Sequence, residues 1–264
     1  MTVSTKLDTA ETPDGGKMVL FQIDDEFSIL VDNEELMDSR QNESELILAR
    51  LGCASVANRE APCILVGGLG LGYTLRQALD MVGPDATVVV SELMASVVKW
   101  NREYFGHLNG HPLNDARVVI EPGDVSVLIR RSVGKFDAIL LDVDNGPSAL
   151  VNCGNQELYD RDGITACRRA LRERGCLAVW SADACPEYEE LVVSCNLHVR
   201  RFDAPTCPGS YCKGQIVWVA SENKKAIPPG GFAPNLPPRT KEKGRRRREK
   251  RAKKRMERKL SYSH

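Results

Sequence analysis

Cys63-Ile64-Leu65-Val66-Gly67-Gly68-Leu69-Gly70-Leu71-Gly72-Tyr73-Thr74-Leu75-Arg76 decides how the rest of the chain is read. A short apolar run reaches Gly67, glycines recur at 68, 70 and 72, and a helical pattern comes next. The order is strand, glycine turn, helix. Glycine lacks a Cβ, so the backbone can turn sharply and a ligand can approach it closely. The helix after the turn presents free N–H groups and the positive end of its dipole. Gly67, Gly68, Gly70 and Gly72 are therefore candidate nucleoside-binding positions. Thr87-Val88-Val89-Val90-Ser91-Glu92 reads as a second strand ending in an acid. Its spacing from the loop is that of a βαβ unit whose carboxylate accepts from ribose hydroxyls. A glycine turn with no ligand is the plainer alternative.

Further along, strand patterns at 117–121, 136–142, 176–180, 197–202 and 214–220 alternate with helical patterns near 73–82, 94–105, 125–132, 156–173 and 186–195. Alternation of this kind predicts an α/β fold, with a mostly parallel sheet and helices on both faces. Ligands bind such sheets at the carboxyl ends of the strands. Glu92, Asp124 and Asp142 all fall there. Asp124, at a turn before a helix, fits an N-cap equally well. Asp144 and Asn145, just before Gly146-Pro147, fit turn chemistry.

Upstream, residues 1–17 are rich in Thr, Asp, Pro and Gly and read as disordered. Residues 18–43 read as a small β element, with a hairpin around Asp24-Asp25-Glu26 and a further strand at Leu36-Met37. Residues 44–57 carry a helical stripe of Leu46, Ile47, Leu51 and Val56. The nucleoside-binding domain is expected over 44–220. Beyond it, 221–264 read as a Pro/Gly linker and a basic tail.

The net charge of zero hides an asymmetry. Of 36 basic and 36 acidic residues, 14 basic and 3 acidic fall in 239–264, giving +11 there and −11 over 1–238. An acidic body suits a cationic substrate better than a nucleic acid. The tail fits a solvated extension, or a patch for nucleic acid or another acidic partner. Nine cysteines include no CxxC pair, and Cys63, Cys176 and Cys195 lie in apolar runs as small hydrophobes. Cys207 and Cys212 sit in a Pro/Gly loop and read as reduced thiols. No run approaches a membrane span, and the N-terminus lacks a signal-peptide core. A cytoplasmic protein is expected, with nuclear import through the tail as an alternative.

Taken together, the residues resemble the spermidine synthase-like, or polyamine aminopropyltransferase, group of class I S-adenosylmethionine folds. The likeness rests on the small β element, the glycine loop, Glu92, Glu121-Pro122-Gly123-Asp124 and Phe136-Asp137-Ala138-Ile139-Leu140-Leu141-Asp142. It implies a Rossmann-like class I methyltransferase fold. It also implies aminopropyl transfer from decarboxylated S-adenosylmethionine to an amine, with no metal. Under it, Glu92 would hold ribose, Asp124 the adenine amino group, and Asp142 would orient and deprotonate the amine, helped by Asp144. A homodimer is a further expectation. Three features depart from the family pattern. Gly70 stands where the family carries an Asp on the donor's amine. The fourth-strand motif is Asp142-Val143-Asp144-Asn145-Gly146-Pro147 instead of Asp-Ser/Thr-x-Asp-Pro. No Tyr-His-Glu motif is found near Glu43-Ser44-Glu45. The nucleoside half looks retained and the polyamine half altered. Methyl transfer from S-adenosylmethionine, or a non-catalytic nucleoside-binding scaffold, stay open as alternatives.

Overall fold

The computed structural model describes residues 4–143, 146–149, 156–205 and 215–234. Four antiparallel strands come first: β1 (Ser4–Glu11), β2 (Lys17–Ile23), β3 (Glu26–Val31) and β4 (Glu34–Asp38), in that spatial order. Asp24 and Asp25 turn β2 into β3, with Asp24 at φ 55°. Residues 4–11 were expected to be disordered and are a strand. Composition hid two anchors. Leu7 and Ala10 pack on the core, and the Asp8 carboxylate accepts from Trp100 Nε1 (2.8 Å) and Lys99 Nζ (2.9 Å).

The chain continues through α1 (Glu43–Cys53), β5 (Cys63–Gly67), α2 (Tyr73–Met81), β6 (Thr87–Glu92), α3 (Ala95–Trp100), β7 (Val118–Pro122), α4 (Val125–Arg131) and β8 (Phe136–Leu141). It then runs through α5 (Gln156–Tyr159), α6 (Arg161–Ala170), β9 (Leu171–Ser181), α7 (Pro186–Ser194), β10 (His198–Ala204) and β11 (Gln215–Ser221). The second sheet has the order β10-β11-β9-β8-β5-β6-β7. Its strands pair in parallel except where β11 runs between β9 and β10. The order reverses at β5, which lies between β6 and β8. That reversal is the switch point where open α/β sheets bind ligands.

Strand alternation sorts the core into two layers. Ile64, Val66, Val88, Val90, Leu140 and Ala178 face α1, α2 and α3, and Leu20 and Ile29 of the small sheet join this layer. Leu65, Val89, Ile139, Leu141 and Val179 face α4, α6 and α7. Cys53, Cys167 and Cys176 are buried among these side chains, and burial raises their thiols above the usual range.

Two expected helices are shorter than their apolar pattern. The one over 94–105 ends as α-helix at Trp100 and widens into a π turn over Asn101–Phe105. The one over 156–173 breaks at Asp160, whose carboxylate caps α6 by accepting from Gly163 N (2.8 Å). Strand β9 then begins at Leu171, before the expected 176, because Arg174 at φ 60° allows a bulge ahead of Cys176.

The domain also extends past 220. Ser221 is fully buried and donates to Gly175 O (2.7 Å), and Ala226 and Ile227 are buried. Phe232 pairs with Arg201 of β10 through Arg201 N to Phe232 O (2.9 Å) and Phe232 N to Arg201 O (2.7 Å). Residues expected as a linker are therefore docked. The basic run from 239 lies outside the described residues. Among the described residues no helix is long and apolar enough to cross a membrane.

Truncation separates the docked stretch from the basic run. Ending the chain after Pro234 should leave the melting temperature nearly unchanged. Ending it after Ala220 should lower it by several degrees. Exposing a side chain such as Ile227 costs about 1.5–3 kcal/mol, and each kcal/mol is about 2–4 °C in a chain of this size. Equal melting temperatures for the two truncations would show that 221–234 add nothing.

Candidate active site

The glycine loop leaves β5 at the centre of the sheet. Gly68, Gly70 and Gly72 take φ values of +86°, +51° and +87°, which side-chain-bearing residues rarely adopt. At Gly68 the reason is also steric: a Cβ there would lie 2.2 Å from Asp142 O. The loop and the end of β8 touch backbone to backbone, with Asp142 N donating to Gly67 O (2.9 Å). At Gly70 the opposite holds. A Cβ there would meet only Met37 Sδ, at 3.8 Å.

Glu92 ends β6 and is buried. Its Oε2 accepts from Leu69 N (2.8 Å) and its Oε1 from Met94 N (2.8 Å). Two of the roughly four acceptor directions of a carboxylate thus brace the loop and the start of α3. The end of β7 is tied to the same point, since Gly123 N donates to Glu92 O (2.8 Å) and Ser91 Oγ donates to Gly123 O (3.0 Å). Asp124 is exposed and caps α4, its Oδ1 accepting from Ser126 N (2.7 Å). Its Oδ2 makes no hydrogen bond among the described residues. The sequence left cap and ligand contact equally weighted, and the cap is present. Leu93, beside Glu92, holds a large apolar side chain in solvent at 57% exposure.

Asp142 comes directly after β8, turned toward the face of the sheet that carries α1 and α2. Its Oδ2 accepts from the buried Thr74 hydroxyl of α2 (2.5 Å). Burial pushes its carboxyl up to about 6, against the opposing pull of the Thr74 hydrogen bond. A second carboxyl lies near it. Glu45, in the first turn of α1, is pushed up to about 7 by burial and then by repulsion from Asp142, while the Ser44 hydroxyl (2.6 Å) works the other way. The repulsion belongs to the pair, which releases its protons in coupled steps. Tyr73, next to Thr74, donates its hydroxyl to Ser39 O (3.1 Å) and fixes the β4–α1 connection against α2. Asp144, expected as the helper, lies outside the described residues.

Glu45 and Thr74 were not singled out in the sequence. Glu45 carries a signal all the same. Leu48, Ala49 and Gly52, three, four and seven residues on, are all buried, so a carboxylate sits on the inward stripe of α1. Among the described residues no three His, Cys, Asp or Glu side chains gather in a metal-binding group.

The sheet order, the glycine turn at its switch point and the acids at successive strand ends define a Rossmann-like class I methyltransferase fold. Residues 42–212 match the spermine/spermidine synthase domain model, and the chain belongs to that family. The polyamine aminopropyltransferase of Nitrosomonas europaea is 29% identical over 123 residues, a match spanning 46% of this chain and 34% of that protein. Among solved structures, spermidine synthase from Thermotoga maritima superposes with a TM-score of 0.65 at 17% identity, covering 85% of this chain and 76% of that one. A spermidine synthase bound to the transition-state analogue AdoDATO gives the same values. A probable spermidine synthase from Corynebacterium glutamicum gives 0.59 at 15% identity, covering 84% and 81%.

Two measurements probe this site. Glu92→Ala should weaken binding of methylthioadenosine in calorimetry by about 10- to 150-fold, the worth of one charge-assisted hydrogen bond at about 1.5–3 kcal/mol. Unchanged affinity would take Glu92 out of the pocket. The carboxyl pair sets the second. Raised carboxyls bind more protons folded than unfolded, so their contribution to stability falls as pH rises from the usual carboxylate range through about 6–7. Glu45→Gln should therefore gain melting temperature relative to the parent chain between pH 5 and pH 8. A parallel pair of curves would mean that Glu45 ionises as a solvated acid.

Proposed function

We propose that the protein transfers an aminopropyl group from decarboxylated S-adenosylmethionine to an amine acceptor. The observation that carries this reading is the half-buried carboxyl pair of Asp142 and Glu45, set against the loop that would hold the donor. The family membership supports it.

In this reading the adenosine lies across the ends of β5, β6 and β7. Glu92 accepts from the ribose hydroxyls, Asp124 Oδ2 from the adenine amino group, and Leu93 covers the base. The glycine loop brings the sulfonium beside the end of β8. An amine acceptor arrives as a cation, and the acid pair draws it in by charge. Its lone pair is blocked until a proton leaves. Asp142 takes that proton, and Glu45 keeps the proton affinity of the pair close to neutrality, where a general base works best. The freed nitrogen attacks the methylene carbon next to sulfur. The new C–N bond forms as the C–S bond breaks, the electron pair returns to sulfur, and methylthioadenosine leaves as a neutral thioether. Holding both partners in line accounts for much of the rate. Thr74 orients the Asp142 carboxylate without taking part in the transfer.

One observation favours a second reading of the same pocket. Gly70 leaves the loop without a carboxylate and with open space beside it, so no acid on the loop opposes a donor that retains its own carboxylate. Methyl transfer from intact S-adenosylmethionine is that second reading.

Mass spectrometry of products with each donor and a panel of amines decides between them. Methylthioadenosine from the decarboxylated donor supports aminopropyl transfer. S-adenosylhomocysteine from the intact one replaces it with methyl transfer, and silence with both leaves a binding protein. Asp142→Asn keeps the shape and removes the base. With the best acceptor it should lower kcat by about 10²–10⁴-fold while donor affinity changes little. The parent rate should rise with pH through about 6–7 as the pair ionises. Full turnover in Asp142→Asn would remove the carboxylate from the chemistry.

A further inference from the structure

The glycine loop is held from behind by two buried asparagines that the reaction itself does not use. Asn101 opens the π turn after α3, and Asn109 lies on the single-turn helix just beyond it. Asn101 Nδ2 donates to Gly70 O (2.8 Å) and to Val97 O (3.0 Å). Asn109 Nδ2 donates to Leu71 O (2.7 Å). Two successive loop carbonyls are therefore held by two side-chain amides. A trans peptide points its C=O and N–H in opposite directions. With Gly70 O turned toward Asn101, the N–H of Leu71 faces away from it. With Leu71 O turned toward Asn109, the N–H of Gly72 faces away and donates to Leu69 O (2.8 Å).

The fit leaves no slack. A Cβ on Gly72 would lie 2.9 Å from Asn101 Oδ1 and 3.0 Å from Asn109 Nδ2. Both Oδ1 atoms are buried without a hydrogen-bond partner. Native proteins pair nearly all buried acceptors, and the exceptions call for an explanation. Here the explanation is geometric. Turning either amide over would set its Oδ1 against a loop carbonyl, so each amide is committed to the loop and its oxygen is left over. The π turn belongs to the same arrangement. It interrupts α3 at Asn101, and such insertions are frequent at functional sites.

We propose that Asn101 and Asn109 are positioning residues for the donor. By holding the carbonyls of Gly70 and Leu71 on the far side of the loop, they preset its open side for the nucleoside. The inference rests on the reading of this pocket as a donor site. Both side chains bond the loop backbone, and their effect passes through it.

The test uses the full chain with Asn101→Ala, Asn109→Ala and the equal-volume variants Asn101→Asp and Asn109→Asp, which lose the N–H donors. Calorimetry with methylthioadenosine should show Kd raised by about two- to tenfold in each, the worth of one ordinary hydrogen bond. Donor KM should rise in parallel, with kcat at saturating donor within about threefold of the parent. Hydrogen exchange should quicken at the amides from Leu71 to Leu75 and stay unchanged in α4 and α6. Should the alanine variants fail to fold, the aspartate variants carry the same comparison. Folded variants with unchanged Kd and donor KM overturn the proposal, whatever happens to melting temperature, and leave the asparagines as packing. A parent chain that binds no adenosine nucleoside overturns the donor pocket and this inference together.

Discussion

The Glu92 carboxylate is the constraint on which the site depends. One oxygen holds the amide of Leu69 and the other the amide of Met94, so one side chain joins the turn after β5 to the turn after β6. Burying a charge is unfavourable unless it is hydrogen-bonded, and here those bonds are what give the loop its shape. The third strand end joins through Gly123, which donates to the backbone of Glu92 itself. The ends of β5, β6 and β7 thereby behave as one rigid rim, and a ligand laid across them meets groups already in place. Preorganisation of this kind lowers the entropy lost on binding.

The acid pair obeys the opposite logic. Asp142 and Glu45 are half-buried near one another with short hydroxyl contacts to Thr74 and Ser44, and neither forms an ion pair among the described residues. That arrangement works against the fold whenever both are ionised. It suits a cationic ligand, whose arrival would relieve both the desolvation and the repulsion. Stability is lowered where binding energy is gained, a common bargain at active sites.

How far the sequence reaches can be followed residue by residue. The β5–loop–α2 unit and Glu92 are legible because each needs only local chemistry: glycine where φ is positive, an acid where a strand stops. The parallel sheet is legible from alternation. Glu45 is harder to read, since its meaning depends on α1 lying over the end of β8, which no local pattern encodes. The asparagines behind the loop are invisible for the same reason, being 31 and 38 residues from the carbonyls they hold. Residues 4–11 mislead by composition. Their strand depends on Asp8 reaching Trp100, 92 residues away. Pro228-Pro229-Gly230-Gly231 misleads in the other direction, reading as a linker where it makes a docked turn.

That turn bears on how the chain is assembled. Gly230 and Gly231 adopt φ of +91° and +63°, and a Cβ on Gly231 would strike Arg201 O at 2.6 Å. The two glycines let Phe232 lie alongside β10, where the Arg201 guanidinium sits 5.7 Å from its ring centre. An open sheet edge invites pairing with another chain, and proteins cover or interrupt such edges. Here the cover is made after the strand that it protects. On the ribosome, β10 and β11 emerge with their outer edge bare, and the short segment that shields it comes within about a dozen residues of β11. The interval between those two events is when this sheet is most open to joining a neighbouring nascent chain.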